Sequence, residues 1–262
     1  MKRTFNFLLL SALAGAVYGA NIDICSTGFA TATTSGCGPA INSPAANNLS
    51  ADGNWYTASN SSGTVMGQAY VTVNNSYPVQ NAGPWLANNA TGSSSGSSWI
   101  TPSNNQAQSY INGPYYFSTQ FGLTASTAST ASINGYWLAD DYGAGIFLNG
   151  VEVGQSSLPA FGGLGGPMVP FNISQGNIAM GQAVFTGGQN ILTFGVVNDS
   201  TGLGTAPCVA ANNCGNTPTG VRVLFTSATT GNFASTPEPG SIFLMATGLL
   251  AGGFMVRRRN RS

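Results

Sequence analysis

The chain has 262 residues and very little charge, with seven Lys and Arg, seven Asp and Glu, and no histidine. The lack of histidine excludes Ser-His and Cys-His catalysis and zinc sites built on imidazole. Between residues 21 and 236, Arg222 is the only basic residue. This composition excludes nucleic-acid binding, which needs Lys and Arg to neutralise phosphates.

The first 20 residues have the pattern of a secretory signal peptide. Lys2 and Arg3 precede an apolar segment from residue 5 to residue 16, and small residues follow up to Ala20. The apolar segment is short for a membrane span, so we expect cleavage by signal peptidase after export through the secretion machinery. An uncleaved anchor is the alternative, and the sequence leaves the cleavage position open.

Residues 21–235 are predicted to form one exported β-sandwich domain. Aromatic and β-branched residues recur at strand-like spacing between Gly, Pro, Asn and Ser. Strands are predicted over 68–73, 115–123, 131–139, 190–198 and 220–227. At residues 146–153 two apolar runs flank Asn149-Gly150, which is typical of a tight type I′ hairpin. The predicted class is therefore all-β, a sandwich or jelly roll.

Four cysteines lie in the exported part: Cys25, Cys37, Cys208 and Cys214. An even number in an oxidising compartment predicts two disulfides. Three pairings are open, and the local one, Cys25–Cys37 with Cys208–Cys214, closes the shortest loops. No CxxC spacing favours a redox or metal site.

Three tryptophans, Trp55, Trp85 and Trp99, lie in or beside segments rich in Gly, Asn and Ser. We interpret them as core residues, with an exposed binding platform as the alternative. Arg222 lies in an alternating strand, so its side chain faces away from Val221 and Val223. It is expected to pair with an acidic residue of the domain, and the alternative is a clamp for a ligand carboxylate.

A central segment carries a resemblance to a known fold. The run Gly135–Gly143 (GYWLADDYG), the run 187–194 (GGQNILTF) and the closing run 218–223 (PTGVRV) resemble the galactose-binding-like jelly roll of exported carbohydrate-binding modules. The resemblance covers residues 110–228. It implies the fold and says little about a ligand.

The candidate ligand-binding residues are Trp137, Asp140, Asp141 and Tyr142. Adjacent carboxylates can accept hydrogen bonds from sugar hydroxyls beside an aromatic stacking face. A calcium site is a second interpretation, although no DxDxDG-like spacing is present. A third is a strand-end turn in which the aspartates cap backbone N–H groups. No catalytic or metal-binding residue is assigned, and no cofactor is expected unless calcium binds here.

The tail, residues 236–262, has three parts in order. Pro237-Glu238-Pro239 is followed by an apolar run from residue 241 to residue 256, which is nearly long enough to span a membrane as a helix. A basic end follows, with Arg257, Arg258, Arg259 and Arg261 expected on the cytoplasmic side. The tail resembles the PEP-CTERM sorting signal of exopolysaccharide-producing Gram-negative bacteria.

This resemblance implies recognition by an exosortase-type transpeptidase. The protein would be an intermediate anchored in the inner membrane and would then reach the cell surface or the extracellular space. The leading functional hypothesis is a non-enzymatic surface or matrix protein that binds exopolysaccharide. The alternatives are a purely structural biofilm component and a carboxylate-dependent hydrolase. Ligand identity and oligomeric state are left open.

Overall fold

A computed structural model describes residues 21–30, 37–41, 43, 48–72, 96–105, 108, 110–153, 159, 168–174, 185–198 and 219–231. These residues form ten strands and one helical turn: β1 Ser50–Ala58, β2 Val65–Val71, β3 Ile100–Thr101, β4 Gly113–Leu123, α1 Ala125–Ala128, β5 Ala131–Asp140, β6 Tyr142–Leu148, β7 Val151–Glu152, β8 Val169–Ser174, β9 Gly188–Asn198 and β10 Gly220–Thr230. The all-β prediction is confirmed. All of them lie in one compact unit, Ala20–Gly231.

The strands pair in the order β7-β6-β9-β4-β1-β2-β3-β10-β5-β8, with antiparallel neighbours. Strands that are not hydrogen-bonded to each other also touch. Phe194 of β9 contacts Trp137 of β5 and Phe171 of β8, with ring centroids 5.3 and 5.5 Å apart. Trp55 of β1 stacks on Phe225 of β10 at 6.2 Å. The sheet therefore folds over on itself, which is consistent with the predicted sandwich.

The hydrophobic core lies between the two facing parts of the sheet. Phe194 packs at its centre against Trp55, Trp137 and Phe171. Aromatic rings in tilted and edge-to-face contact add to the stabilisation that burial provides. Trp55 and Trp99 are both buried, as predicted, whereas Trp85 lies outside the described residues.

The five predicted strands and the hairpin all correspond to observed strands. The hairpin turn has φ angles of 52° at Asn149 and 83° at Gly150. Left-handed angles at both positions are what a type I′ turn requires. Strands β1, β3 and β8 were not predicted. The galactose-binding-like resemblance is not tested by this arrangement and stays a prediction.

Several predictions fall outside the described residues: the signal peptide, Cys208 and Cys214, and the whole tail from Thr236 onwards. Within the described residues, no helix has the length and apolar character needed to cross a membrane. The proposed division into 1–20, 21–235 and 236–262 therefore stays a prediction.

Candidate functional site

The predicted ligand residues lie at the corner between β5 and β6. Asp140 ends β5, Tyr142 begins β6, and the Asp140–Asp141 peptide bond is cis. The Asp140 carbonyl accepts a hydrogen bond from the Thr219 hydroxyl at 2.8 Å. The Asp141 N–H donates to the Val197 carbonyl at 3.0 Å. Both residues are buried, with 2% and 8% of their surface exposed, and Tyr142 is half-buried. The corner is thus tied to its neighbours through backbone groups.

Trp137 lies in the core rather than on the surface. Its indole is fully buried against Phe194, and Gly143 packs directly on it. A Cβ atom at Gly143 would lie only 2.5 Å from Cη2 of the Trp137 ring. The structure therefore corrects the prediction that Trp137 offers a stacking face to a sugar, because no face of the ring reaches solvent.

A metal role for this corner stays a prediction. Among the described residues, no group of three or more His, Cys, Asp and Glu side chains is placed to hold a metal ion. A calcium site at Asp140 and Asp141 would need additional oxygen ligands from amide or backbone groups.

Arg222 is also fully buried, on the face of β10 opposite Val221 and Val223, as its strand position predicted. Its Nε donates to the Ser97 hydroxyl at 3.0 Å. In the antiparallel register Arg222 lies opposite Leu138 of β5. Asp140 follows Leu138 by two residues and so lies on the same face of β5. Burial lowers the pKa of Arg222 to about 10, so the guanidinium stays charged at neutral pH. The expected pairing of Arg222 with an acidic residue and the alternative of a clamp for a ligand carboxylate both stay predictions.

A fully buried carboxyl group, that of Asp52, was not predicted. Asp52 of β1 is fully buried, and its two carboxylate oxygens accept the Gly28 N–H at 2.6 Å and the Asn54 N–H at 2.9 Å. Burial raises the pKa of Asp52 from 3.8 to about 6, and the backbone donors oppose that shift without cancelling it. This carboxyl group fixes the segment before Gly28 onto β1.

That segment, Asn21–Gly28, is here called the strap. It lies along β10, where the Ile22 N–H donates to the Ala228 carbonyl at 2.8 Å. On its other side the Trp55 Nε1 donates to the Cys25 carbonyl at 2.9 Å. Cys25 and Cys37 form a disulfide, as in the local one of the three open pairings, with the two Cα atoms 5.4 Å apart. The strap is therefore held from three directions.

A groove of about 520 Å³ separates the strap from β4, and it is called the β4 groove. Pairing between β1 and β4 stops at Tyr56 and Ser118, whereas β4 pairs with β9 as far as Leu123. Beyond Ser118 this edge of β4 pairs with no other described strand, and it forms one wall. The polar residues that line the groove are Asp23, Asn54, Tyr56, Thr119, Gln120 and Gln189.

A second groove of about 450 Å³ lies between the strap and β10, and it is called the β10 groove. Its lining runs along the strap from Asn21 to Ile24 and along β10 from Phe225 to Ala228, with Cys37 at one side. Asp23 and Ile24 line both grooves. The two grooves thus meet at the strap.

The described residues that line the two grooves can form hydrogen bonds, and none of them is positively charged. In the β4 groove, Nε2 of Gln189 donates to Oε1 of Gln120 at 2.6 Å, which orients both amides. In the part of the chain that the structure describes, Asp23 is the one carboxylate that lines either groove. Amides, hydroxyls, a tyrosine and one carboxylate can exchange hydrogen bonds with a neutral polyol.

Comparison with known proteins identifies the tail. A family model for the PEP-CTERM protein-sorting motif matches residues 235–259. The C-terminal segment is a PEP-CTERM sorting motif. It marks the protein for export and for processing by an exosortase-type enzyme through a membrane-anchored intermediate, which confirms the resemblance carried by Pro237, Glu238 and Pro239. No curated protein and no solved structure is significantly similar to the chain.

Proposed function

We propose that this exosortase-sorted protein is a non-enzymatic component of the cell surface or extracellular matrix that binds neutral polysaccharide in the β4 groove. The observation that carries the proposal is the lining of that groove. It combines a half-buried tyrosine, three side-chain amides and one carboxylate in a space of about 520 Å³. This volume lies within the range of roughly 300–1,000 Å³ found for small-molecule sites.

The kinds of side chain favour a sugar over other ligands. Tyr56 has an aromatic ring for the apolar face of a pyranose, and its hydroxyl can exchange a hydrogen bond at the rim. Gln120 and Gln189 each have a donor and an acceptor, which suits hydroxyl groups that both donate and accept. Asn54 adds an acceptor, its Oδ1, because its Nδ2 already donates to the Phe29 and Ala30 carbonyls. An anionic ligand is disfavoured, because Asp23 is the one charged residue among the described residues that line the groove.

The non-enzymatic part of the proposal rests on the carboxylates. Glycoside hydrolysis generally needs two carboxyl groups on either side of the scissile bond. Among the described residues the β4 groove has one, Asp23, while Asp52 is enclosed beneath the strap. We also keep the galactose-binding-like jelly roll as the proposed fold relationship, since the strands from β4 to β10 coincide with the segment that carries the resemblance.

The test is binding of the producing bacterium's own exopolysaccharide to the full chain in a mild detergent, by titration calorimetry. Tyr56→Ala and Gln120→Ala should each weaken binding by about tenfold or more. This is the affinity that about one to two net hydrogen bonds or ring contacts contribute. Tyr136→Ala is the matched control, because Tyr136 is 41% exposed and lines neither groove. Repeating the titration with calcium and with a chelator tests the calcium prediction.

Near-ultraviolet circular dichroism of each variant shows whether it has folded. If the folded wild-type protein does not bind the polysaccharide, the proposal fails. The protein is then better explained as a structural matrix component without a ligand site. Release of reducing sugar from the polysaccharide would instead support the hydrolase alternative.

A further inference from the structure

The strap separates the two grooves. Ile22 and the run from Cys25 to Gly28 are buried, Ile24 is half-buried, and Asp23 is exposed. Asp23 lines the β4 groove on one side and the β10 groove on the other. A ligand that crosses the strap from one groove therefore enters the other groove and passes the Asp23 carboxylate.

The spacing of the two grooves is fixed by covalent and hydrogen bonds. The Cys25–Cys37 disulfide places Cys25 in the wall of the β4 groove and Cys37 in the wall of the β10 groove. The strap is held in place by the hydrogen bond of Ile22 to β10 and by that of Trp55 to Cys25. Two preorganised sites at a fixed distance are suited to one ligand that contacts both.

The β10 groove has polar groups of its own. Thr226 and Ser227 are exposed in its wall. The Ser227 hydroxyl accepts a hydrogen bond from the Asn134 side chain at 2.9 Å, and Asn172 of β8 donates in turn to Asn134. Hydroxyl and amide groups thus continue from the groove across β5 to β8.

From these observations we infer that the binding site is a continuous track for the interior of an extended neutral polysaccharide. The chain lies in the β4 groove, crosses the strap at Asp23 and continues in the β10 groove. This inference rests on the proposed function of the β4 groove and adds the ligand class: a polymer bound along its length rather than a short sugar or a chain end.

The experiment compares oligosaccharides of about three and about ten units, prepared by partial hydrolysis of the same exopolysaccharide, in titrations against the full chain. The longer oligomer should bind at least about tenfold more tightly, because its second contact is intramolecular. A variant with both Thr226→Ala and Ser227→Ala should lose that gain and bind the short oligomer as the wild type does. Tyr56→Ala should weaken both oligomers.

Controls separate this inference from the proposal beneath it. Ser62→Ala removes an exposed hydroxyl outside both grooves and should change neither affinity. Equal binding of short and long oligomers, or equal loss for both in the β10-groove variant, overturns the two-groove track and leaves the β4 groove as a single site. Failure of every oligomer and of the intact polysaccharide to bind overturns both.

Discussion

The folded domain should become more stable as the pH falls from 7.5 to 5, because of the buried carboxyl group of Asp52. Its pKa is about 6 in the folded protein and near 3.8 when exposed. The folded state therefore binds the Asp52 proton more tightly than the unfolded state does. The resulting stabilisation is fully present below about pH 3.8 and is lost as the pH rises through 6.

The magnitude follows from the shift. One pKa unit corresponds to about 1.4 kcal/mol, so the shift from 3.8 to about 6 corresponds to about 3 kcal/mol. At pH 5 Asp52 is mostly protonated in the folded state and mostly ionised in the unfolded state. The free energy of unfolding should therefore rise by about 1.4 kcal/mol between pH 7.5 and pH 5. Because the chain has no histidine, no imidazole titration overlaps this interval.

The assay is urea unfolding followed by tryptophan fluorescence at several pH values, with Asp52→Asn as the control. The variant itself should be less stable by about 1–3 kcal/mol, since an amide cannot accept from both the Gly28 and the Asn54 N–H. The comparison therefore uses the change in unfolding free energy with pH. A wild-type profile that is flat or falls towards pH 5, or an equal rise in the variant, would refute the burial argument.

Two further changes test how the domain is held together. Replacing both Cys25 and Cys37 with Ala should lower the free energy of unfolding by about 3 kcal/mol on the chain-entropy model, since the bond joins residues 12 apart; an unchanged denaturation midpoint would contradict it. Gly63→Ala should cost about 1–3 kcal/mol, because φ is +77° and the new Cβ would lie 2.4 Å from Cγ2 of Ile191. Gly122→Ala, whose Cβ meets nothing within 4 Å, is the control, and equal losses in the two would contradict the steric explanation.

Four of the long strands and one hairpin were predictable because their signals are local. Alternation and flanking turn residues located β4, β5, β9 and β10, and Asn149-Gly150 specified the hairpin between β6 and β7. Strand β1 was missed. Its sequence, SADGNWYTA, places Asp, Gly and Asn together as a turn would, and the structure shows a break in register between Ala51 and Tyr56.

Burial on the two faces of a strand was less predictable than the strand itself. Alternation correctly placed Val221 and Val223 opposite Arg222, but it does not say whether the outer face is covered. Here Arg222 and Leu138 on the outer face are as buried as Trp137 on the inner one. The predicted ligand site failed at Trp137 for this reason, since a tryptophan beside two aspartates has the same local pattern in either environment.

The grooves had no sequence signal. The β4 groove exists because β4 stops pairing with β1 at Ser118, opposite Tyr56. On its other side β4 goes on pairing with β9 as far as Leu123. Register and strand length of three segments far apart in the chain decide where that gap lies. Gln120 and Gln189 are ordinary polar residues of alternating strands, and they become neighbours only through the β4–β9 pairing.

The placement of charge explains why a neutral ligand is the consistent choice. Among the described residues, Asp52, Asp140, Asp141 and Arg222 are all buried, and the exposed charges are those of Asp23 and Glu152. The described surface, with these two negative charges, cannot attract an anionic polymer over distance. Recognition must then come from hydrogen bonds and ring contacts at short range, which salt screens little. Those groups are concentrated where the strap leaves β4 uncovered, and Asp23 is the charge placed among them.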